Sequence, residues 1–412
     1  MRDPETTVGD RTVVVGAGQA GFSFCAKLRE LGYQGSIRLI GDECSLPYQR
    51  PPLSKAYMLG EMSAERLLLR PREFYNEQHI EVVSGVAVTA VSPPLNRITL
   101  ADGNVVDFDT LVLATGSRPR QLPSSVSGDL EGIHYLRSLA DANAFAPQMK
   151  SGSKVLVIGG GYIGLEAAAT ASKLGAKVVV LEAAARILQR VACTETSDYF
   201  RSLHKAHGVD IREGTGLTQL TGINGKVAGA EMSDGSELEC DVVLAGIGVV
   251  PNQELAEAAG ITCLNGVIVD ARCRTSEPAI MAIGDCASFP YDGGLIRLES
   301  VGHAIDQAQA AAAIIMGNDD PYTARPWFWS DQYEVKLQIA GLSSGFDHVV
   351  VRSGESGSRS HWYFRGDKLL AVDAMNEPRA YMVAKRLIEA GKSPSSGQIV
   401  DESKDLKSLL LS

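Results

Sequence analysis

The chain has 412 residues, enough for two or three domains, and its 45% hydrophobic share, 21% charged residues and 42 glycines describe an ordinary globular protein somewhat rich in tight turns. A formal net charge of −10 argues against a nucleic-acid partner, and no apolar stretch approaches the roughly 18–20 residues needed to span a bilayer. The 7 cysteines form no C-x-x-C pair, which suits reduced thiols and not a disulfide frame.

Residues 1–9 are polar and carry no signal-peptide pattern, so the expected location is cytoplasmic. The first structured segment is a β-branched run, Val13-Val14-Val15, leading into Gly16-Ala17-Gly18-Gln19-Ala20-Gly21. A helix is expected over Gln19 to Leu31, and a strand over Ser36 to Ile40 closing on Gly41-Asp42-Glu43. Pro47 to Lys55 is rich in proline and reads either as a helix opening, with Ser54 or a neighbour as cap, or as a stiff surface loop with a solvated Lys55. Asp102-Gly103 marks a hairpin turn, followed by Leu111-Val112-Leu113-Ala114-Thr115-Gly116.

The same plan then recurs. Val155-Leu156-Val157-Ile158 leads into Gly159-Gly160-Gly161-Tyr162-Ile163-Gly164. A helix over Tyr162 to Leu174 and a strand over Lys177 to Leu181 follow, closing on Glu182. Asp234-Gly235 and Val242-Val243-Leu244-Ala245-Gly246-Ile247-Gly248 repeat the later hairpin: Asp102, Asp109 and Gly116 have the same spacing as Asp234, Asp241 and Gly248. This is a duplicated βαβ dinucleotide-binding unit with an antiparallel insertion in each copy. Ala282-Ile283-Gly284-Asp285-Cys286-Ala287 reads as strand, Gly-Asp turn, then helix. From about Pro326 the chain reads as β-rich, with strands over Glu334 to Ile339, His348 to Val351, His361 to Phe364 and Lys368 to Ala374, and a helix over Pro378 to Ala390.

In each glycine turn the first glycine permits the bend, the second lets backbone approach a pyrophosphate, and the third lets the helix pack on its strand. The helix N-terminus then offers free N–H groups to the phosphates. A carboxylate about 20 residues on can accept the ribose hydroxyls. Asp42 and Glu43 compete for that role in the first unit, with Asp42 preferred because it follows the strand directly. Glu182 stands alone in the second. A carboxylate there repels a 2′-phosphate, which favours NAD over NADP, with Arg186 the nearby residue that would support the opposite reading. Two dinucleotides in one chain imply electron or hydride transfer.

These phrases, together with Pro51-Pro52-Leu53-Ser54-Lys55-Ala56-Tyr57, Gly164-Leu165-Glu166, Gly284-Asp285-Cys286-Ala287 and Trp327-Phe328-Trp329-Ser330-Asp331-Gln332-Tyr333, resemble one family over nearly the whole chain. It is that of the FAD-dependent NADH:ferredoxin reductases of the glutathione-reductase superfamily, the type that serves bacterial cytochrome P-450 systems. The resemblance implies an α/β fold with two Rossmann-like dinucleotide-binding domains and a C-terminal α+β domain. The expected boundaries are 1–117 with 245–325 for FAD, 118–244 for NAD and 326–412 for the last domain. It implies bound FAD, NADH as substrate, and a 2Fe–2S ferredoxin partner serving indirectly a cytochrome P-450, with no metal, nucleic acid or membrane involved.

The FAD residues carried over by resemblance are Gly16, Gly18, Ala20, Gly21, Asp42, Lys55, Val88, Thr115, Gly116, Arg137, Asp285, Val301 and Trp329. Those for NAD are Gly159, Gly161, Tyr162, Ile163, Gly164, Glu182, Gly246 and Gly248. Lys55 and Glu166 form the implied catalytic pair: the lysine places positive charge where negative charge develops on the flavin, and the glutamate orients it. Disulfide reductases of the superfamily carry a cysteine pair after the first unit; this chain has only Cys44 there. Electrons must then leave the flavin directly, which suits a one-electron carrier. Gly302-His303 departs from the usual Pro-Asn, and Gln309 stands where a basic docking residue sometimes sits. Arg70, Arg72 and Lys336 are candidate docking cations or ordinary solvated charges. The alternatives are the reductase of a ring-hydroxylating dioxygenase, a rubredoxin or small-molecule reductase, and a flavin-binding signalling protein akin to the apoptosis-inducing-factor relatives.

Overall fold

The valine run becomes the Arg11–Val15 strand, where Val13, Val14 and Val15 are 2%, 0% and 5% exposed. Both faces are covered, so the run needs no polar alternation, as in interior parallel strands. Ser36–Gly41 and Thr110–Leu113 flank it, with Ile80–Ser84 and Ile280–Ala282 outermost, and all four pairings are parallel. The helices Gln19–Glu30 and Val301–Ile315 share a core with this sheet, in which Phe24, Leu28 and Leu39 have no exposed surface. Burying one such side chain contributes about 1.5–3 kcal/mol.

The structure is a computed structural model that describes residues 11–354, 357–403 and 405–410; the polar 1–9 segment lies outside them. The chain divides into two compact units. The first consists of Met1–Gln49 as far as described, Ala64–Arg118 and Val249–Pro326, and the second of Arg50–Ser63, Pro119–Gly248 and Trp327–Ser412 as far as described.

The second unit holds its own parallel sheet, in the order Asp210–Glu213, Lys177–Glu182, Lys154–Ile158, Val242–Ala245 and Ile133–His134. The order matches that of the first unit, but the last place is filled differently. In the first unit the strand beside Thr110–Leu113 comes late in the chain, at Ile280–Ala282. In the second the strand beside Val242–Ala245 comes early, at Ile133–His134. The expected hairpins are both present, with Gly103 and Gly235 at φ +86° and +80°. The C-terminal residues of this unit form an antiparallel sheet in the order Trp327–Gln332, Val335–Gly341, Lys368–Met375, Arg359–Arg365 and His348–Ser353. The Pro378–Glu389 helix buries Ala380, Val383, Ala384 and Leu387 against it.

Two expectations change, and one strand was not anticipated. No helix follows the Gly-Asp turn: Gly284–Cys286 is a single 3₁₀ turn and Ala287–Tyr291 a strand. Pro290, inside that stretch, cannot continue a helix. Pro51–Ser54 is a 3₁₀ turn, but its Ser54 is its last residue and not its cap, and neither Ser54 nor Lys55 is solvated as in a surface loop. Trp327–Gln332 is a strand; three aromatic residues in four obscured its alternation.

Candidate active site

In the first unit Gly16 has φ +115°, and a Cβ there would lie 2.1 Å from the Ala114 carbonyl oxygen. Only glycine fits that bend. A Cβ on Gly21 would lie 2.1 Å from the Gly16 carbonyl, so the third glycine sets the approach of helix to strand. Gly18 differs: a Cβ there would meet no protein atom within 4 Å. Gly18 is also the N-cap of the Gln19–Glu30 helix and brings no side chain to its first amides. The cradle therefore suits a phosphate approaching backbone N–H groups.

Two distant segments approach this turn, at Ala114–Thr115 and at Gly284. A Cβ on Gly284 would be 2.9 Å from Ala20 Cβ, which sets Asp285 against the start of the helix. Ser117 Oγ donates to Asp285 Oδ2 at 2.9 Å, and Gln307 Oε1 accepts the Gly284 N–H at 2.7 Å. Of the competing acids, Glu43 is held by the Tyr48 hydroxyl at 2.5 Å, whereas Asp42 is exposed at the end of its strand. Thr115 Oγ1 donates to the Asn252 carbonyl at 2.6 Å, and Asn252 Nδ2 returns a bond to Thr115 O at 2.8 Å, so this hydroxyl braces the chain. Gly116, next along, has φ +69°. Val301 opens the Val301–Ile315 helix behind its cap Ser300, and Val88 begins a short antiparallel strand packed on the unit's core. His303 is 3% exposed, stacks on Phe289 at 4.8 Å, and is pushed down to about 4 by burial.

The second unit repeats the glycine geometry. Gly159 has φ +103° with a Cβ position 2.4 Å from the Gly246 carbonyl; Gly164 would clash at 2.2 Å with the Gly159 carbonyl; Gly161 would meet nothing within 4 Å. Gly248 has φ +99°, and Ile163 stands exposed beside the buried Tyr162 hydroxyl. Glu182 accepts the Gly160 N–H at 2.8 Å and the Ala184 N–H at 2.7 Å, one on each oxygen. An ionised carboxylate has about four acceptor positions, and these two bonds use one on each oxygen. Arg186 points elsewhere: its guanidinium donates to Ser197 Oγ at 2.5 Å and to the Ala192 and Cys193 carbonyls at 2.8 and 3.1 Å.

Lys55 and Glu166, far apart in sequence, meet within the same unit. Lys55 Nζ lies 2.9 Å from Glu166 Oε1, with side-chain exposures of 17% and 6%. Ser54 Oγ donates to Glu166 Oε2 at 2.7 Å and Ser330 Oγ to Oε1 at 2.7 Å. Burial pushes the Glu166 carboxyl up, and the Lys55 charge and the two hydroxyls oppose it. Thr170 Oγ1 donates to the Ser54 carbonyl at 2.8 Å, pinning the proline turn to the Tyr162–Lys173 helix. Asp331 Oδ2 is 3.9 Å from Lys55 Nζ. Arg137 donates its backbone N–H to Asp141 Oδ2 at 3.0 Å and accepts from Arg50 on its carbonyl at 2.8 Å. Trp329 stacks on Trp327 with ring centres 5.6 Å apart.

Sequence reasoning missed Ser54's bond to Glu166, Ser330 and Thr170, because a serine or threonine has no spacing signature until its strand or turn is placed. It also missed Asn252 and Ser117. The cysteines at 25, 44, 193, 240, 263, 273 and 286 are all free, and burial pushes the Cys240 and Cys273 thiols up to about 12. No helix among the described residues is long and apolar enough to cross a membrane.

Residues 10–313 match the family model described as pyridine nucleotide-disulphide oxidoreductase, and residues 327–410 match the one described as reductase C-terminal. The chain is 43% identical to rhodocoxin reductase of Rhodococcus erythropolis, covering 96% of this chain and 93% of that protein. It is 43% identical to putidaredoxin reductase of Pseudomonas putida, with 97% of each covered. Among solved structures, a covalent putidaredoxin reductase–putidaredoxin complex superposes with a TM-score of 0.94 at 42% identity, over 98% of each chain.

Proposed function

The chain belongs to the pyridine nucleotide-disulphide oxidoreductase family, and from that premise we propose that it carries electrons from NADH through FAD to a 2Fe–2S ferredoxin that serves a cytochrome P-450. It is an oxidoreductase whose cofactors are FAD and NAD(P)H. When bound, FAD supplies the chemistry of taking two electrons together and releasing them singly.

The division of labour follows the two glycine turns. Gly16, Gly18 and Gly21, with Asp42 and Asp285, suit FAD; Gly159, Gly161, Gly164 and Glu182 suit NADH. The second assignment is supported by Arg186, whose guanidinium is committed to Ala192, Cys193 and Ser197 and leaves Glu182 to face a ribose. Lys55 supplies fixed positive charge for the reduced cofactor, and Glu166 holds that charge in place in a buried setting. The residues 118–244 would form the NAD domain, 1–117 with 245–325 the FAD domain, and 326–412 the domain bearing Trp329.

The observation that carries this reading is what occupies the turn after the first dinucleotide unit. Family members that reduce disulfides need a dithiol there, and this turn presents Lys55 paired to Glu166 at 2.9 Å. Two close relatives are named reductases of rhodocoxin and putidaredoxin. The test is anaerobic: reduce the purified yellow protein with NADH, then offer a 2Fe–2S ferredoxin, a rubredoxin and a quinone separately. Ferredoxin reduction no faster than that of a dye control would remove the proposal.

A further inference from the structure

Glu166 is a carboxylate 5% exposed, and the contacts that surround it do not stop at its first donors. Ser330 Oγ, which donates to Oε1, accepts in turn from Gln332 Nε2 at 3.1 Å. Gln332 Oε1 lies 2.8 Å from His204 Nε2. His204, Ser330 and Gln332 have no exposed surface. Ser330 and Gln332 are two apart on one strand and so share a face. His204 sits on the Thr194–Ala206 helix.

The protons of this chain can be assigned by counting. Three donors, Lys55, Ser54 and Ser330, converge on Glu166, an arrangement suited to an ionised carboxylate, which only accepts. Ser330 has one proton and spends it on Glu166, so it must accept from Gln332. The Gln332 amide then turns its NH₂ to Ser330 and its oxygen to His204. His204 must carry its proton on Nε2, and burial pushes its imidazolium down to about 4, so it is neutral above that. Every donor in the chain points the same way.

We propose that Ser330, Gln332 and His204 are positioning residues for the Lys55–Glu166 pair, a one-way series of donors that keeps Glu166 ionised and aimed at Lys55. Three buried polar side chains in a row cost desolvation that an apolar core would avoid, and bonds in series polarise one another toward the charge at the end. The charged groups on the site side are Lys55, with Asp331 3.9 Å beyond it; on the helix side the titratable neighbour of His204 is His207, whose Nε2 lies 3.7 Å from Glu334. The inference rests on the reading of Lys55–Glu166 as the working pair, and its test reads the carboxyl itself.

The test uses FAD-loaded protein carrying ¹³C at the glutamate carboxyl carbon, with the Glu166 signal identified by its loss in Glu166→Gln. Ser330→Ala removes a donor to a charged group, so the titration midpoint should rise by about one to two pH units. Ser330→Thr keeps the hydroxyl and should restore it. Gln332→Leu should raise the midpoint less, and His204→Phe less again. Gln332→Glu should raise it more than Gln332→Leu, because the new carboxylate draws the Ser330 proton away from Glu166. If Ser330→Ala does not fold, Ser330→Cys, a weak donor of similar size, takes its place. An unmoved midpoint in the Ser330 variants, or Gln332→Glu matching Gln332→Leu, overturns the proposal. Failure of the unaltered protein to reduce ferredoxin, with the midpoint pattern as expected, would count against the proposed function alone.

Discussion

The sharpest expectation concerns two glycines three residues apart in the second unit. Gly161 and Gly164 belong to one turn, yet the structure separates their roles. At Gly164 an added Cβ would sit 2.2 Å from the Gly159 carbonyl oxygen and 3.3 Å from Val157 Cγ1, and the nearer atom is backbone. Helix and strand must part, at about 3 kcal/mol for such overpacking, which for a unit of this size lowers the melting temperature by roughly 6–12 °C. At Gly161 the backbone, φ −82° and ψ 178°, suits any residue, and no protein atom lies within 4 Å. Alanine there loses about 0.5–1 kcal/mol of capping preference and regains a similar amount from a stiffer unfolded chain. The fold should be indifferent, while a methyl placed where a pyrophosphate approaches should weaken NADH by roughly 5- to 150-fold, the equivalent of about 1–3 kcal/mol. Thermal melting and an anaerobic NADH titration of the flavin absorbance measure both quantities in both variants. Wild-type affinity for NADH in Gly161→Ala, or wild-type melting in Gly164→Ala, would refute the assignment of roles.

Three further outcomes follow from the same geometry. Lys55→Met leaves Glu166 buried without its cation and should destabilise the protein by about 3–5 kcal/mol, most of it recovered in Lys55→Met/Glu166→Leu, as a denaturant melt of the single and double variants would report. Asp285→Ala should deplete bound FAD and leave the NADH site alone, and Glu182→Ala should do the reverse; equal loss of both ligands in either variant, read by flavin content and NADH titration, would contradict the division between the two turns. Asp373 is 1% exposed, and burial pushes its carboxyl up to about 6 against the pull of Tyr363 and Thr196. Its folded value lies above the unfolded one, so its contribution is fully present below about pH 4 and is lost as pH rises through 6, by about 3 kcal/mol. Asp373→Asn should therefore flatten the fall in melting temperature between about pH 4 and 6.5, and an unchanged slope would reject the reasoning.

Both dinucleotide units were legible in the sequence because local chemistry specifies them. The strand, the glycine turn, the helix and the acid lie within one short stretch, and each obeys a period or a bend that few residues satisfy. The helices came out as Gln19–Glu30 and Tyr162–Lys173, within a residue of expectation at their C-terminal ends. Lys55 and Glu166 were paired only through family resemblance, since no local rule connects residues so far apart. What supports them was not legible at all. Ser54, Thr170 and Ser330 act through one hydroxyl each, and Gln332 and His204 look in sequence like ordinary polar surface. Pro290 carried a warning against a helix after the Gly-Asp turn that pattern reading passed over. Tyr48, whose hydroxyl engages Glu43 while Asp42 stays exposed, bears on the choice between the two acids and has no signature in the sequence.

The two parallel sheets complete themselves at different moments in the life of the chain. The second unit's last strand, Ile133–His134, is already made when Val242–Ala245 leaves the ribosome, so that edge is paired on arrival. The first unit's Thr110–Leu113 has no such partner until Ile280–Ala282 is synthesised. At about 5–20 residues per second that interval is roughly 8–35 s. During it a buried-type strand edge stands open beside a nascent sibling of the same architecture, able to pair with the wrong strand. Chaperone demand in this protein should therefore fall on the earlier-made unit, and a stall or truncation before residue 280 should yield aggregate instead of a free-standing first unit.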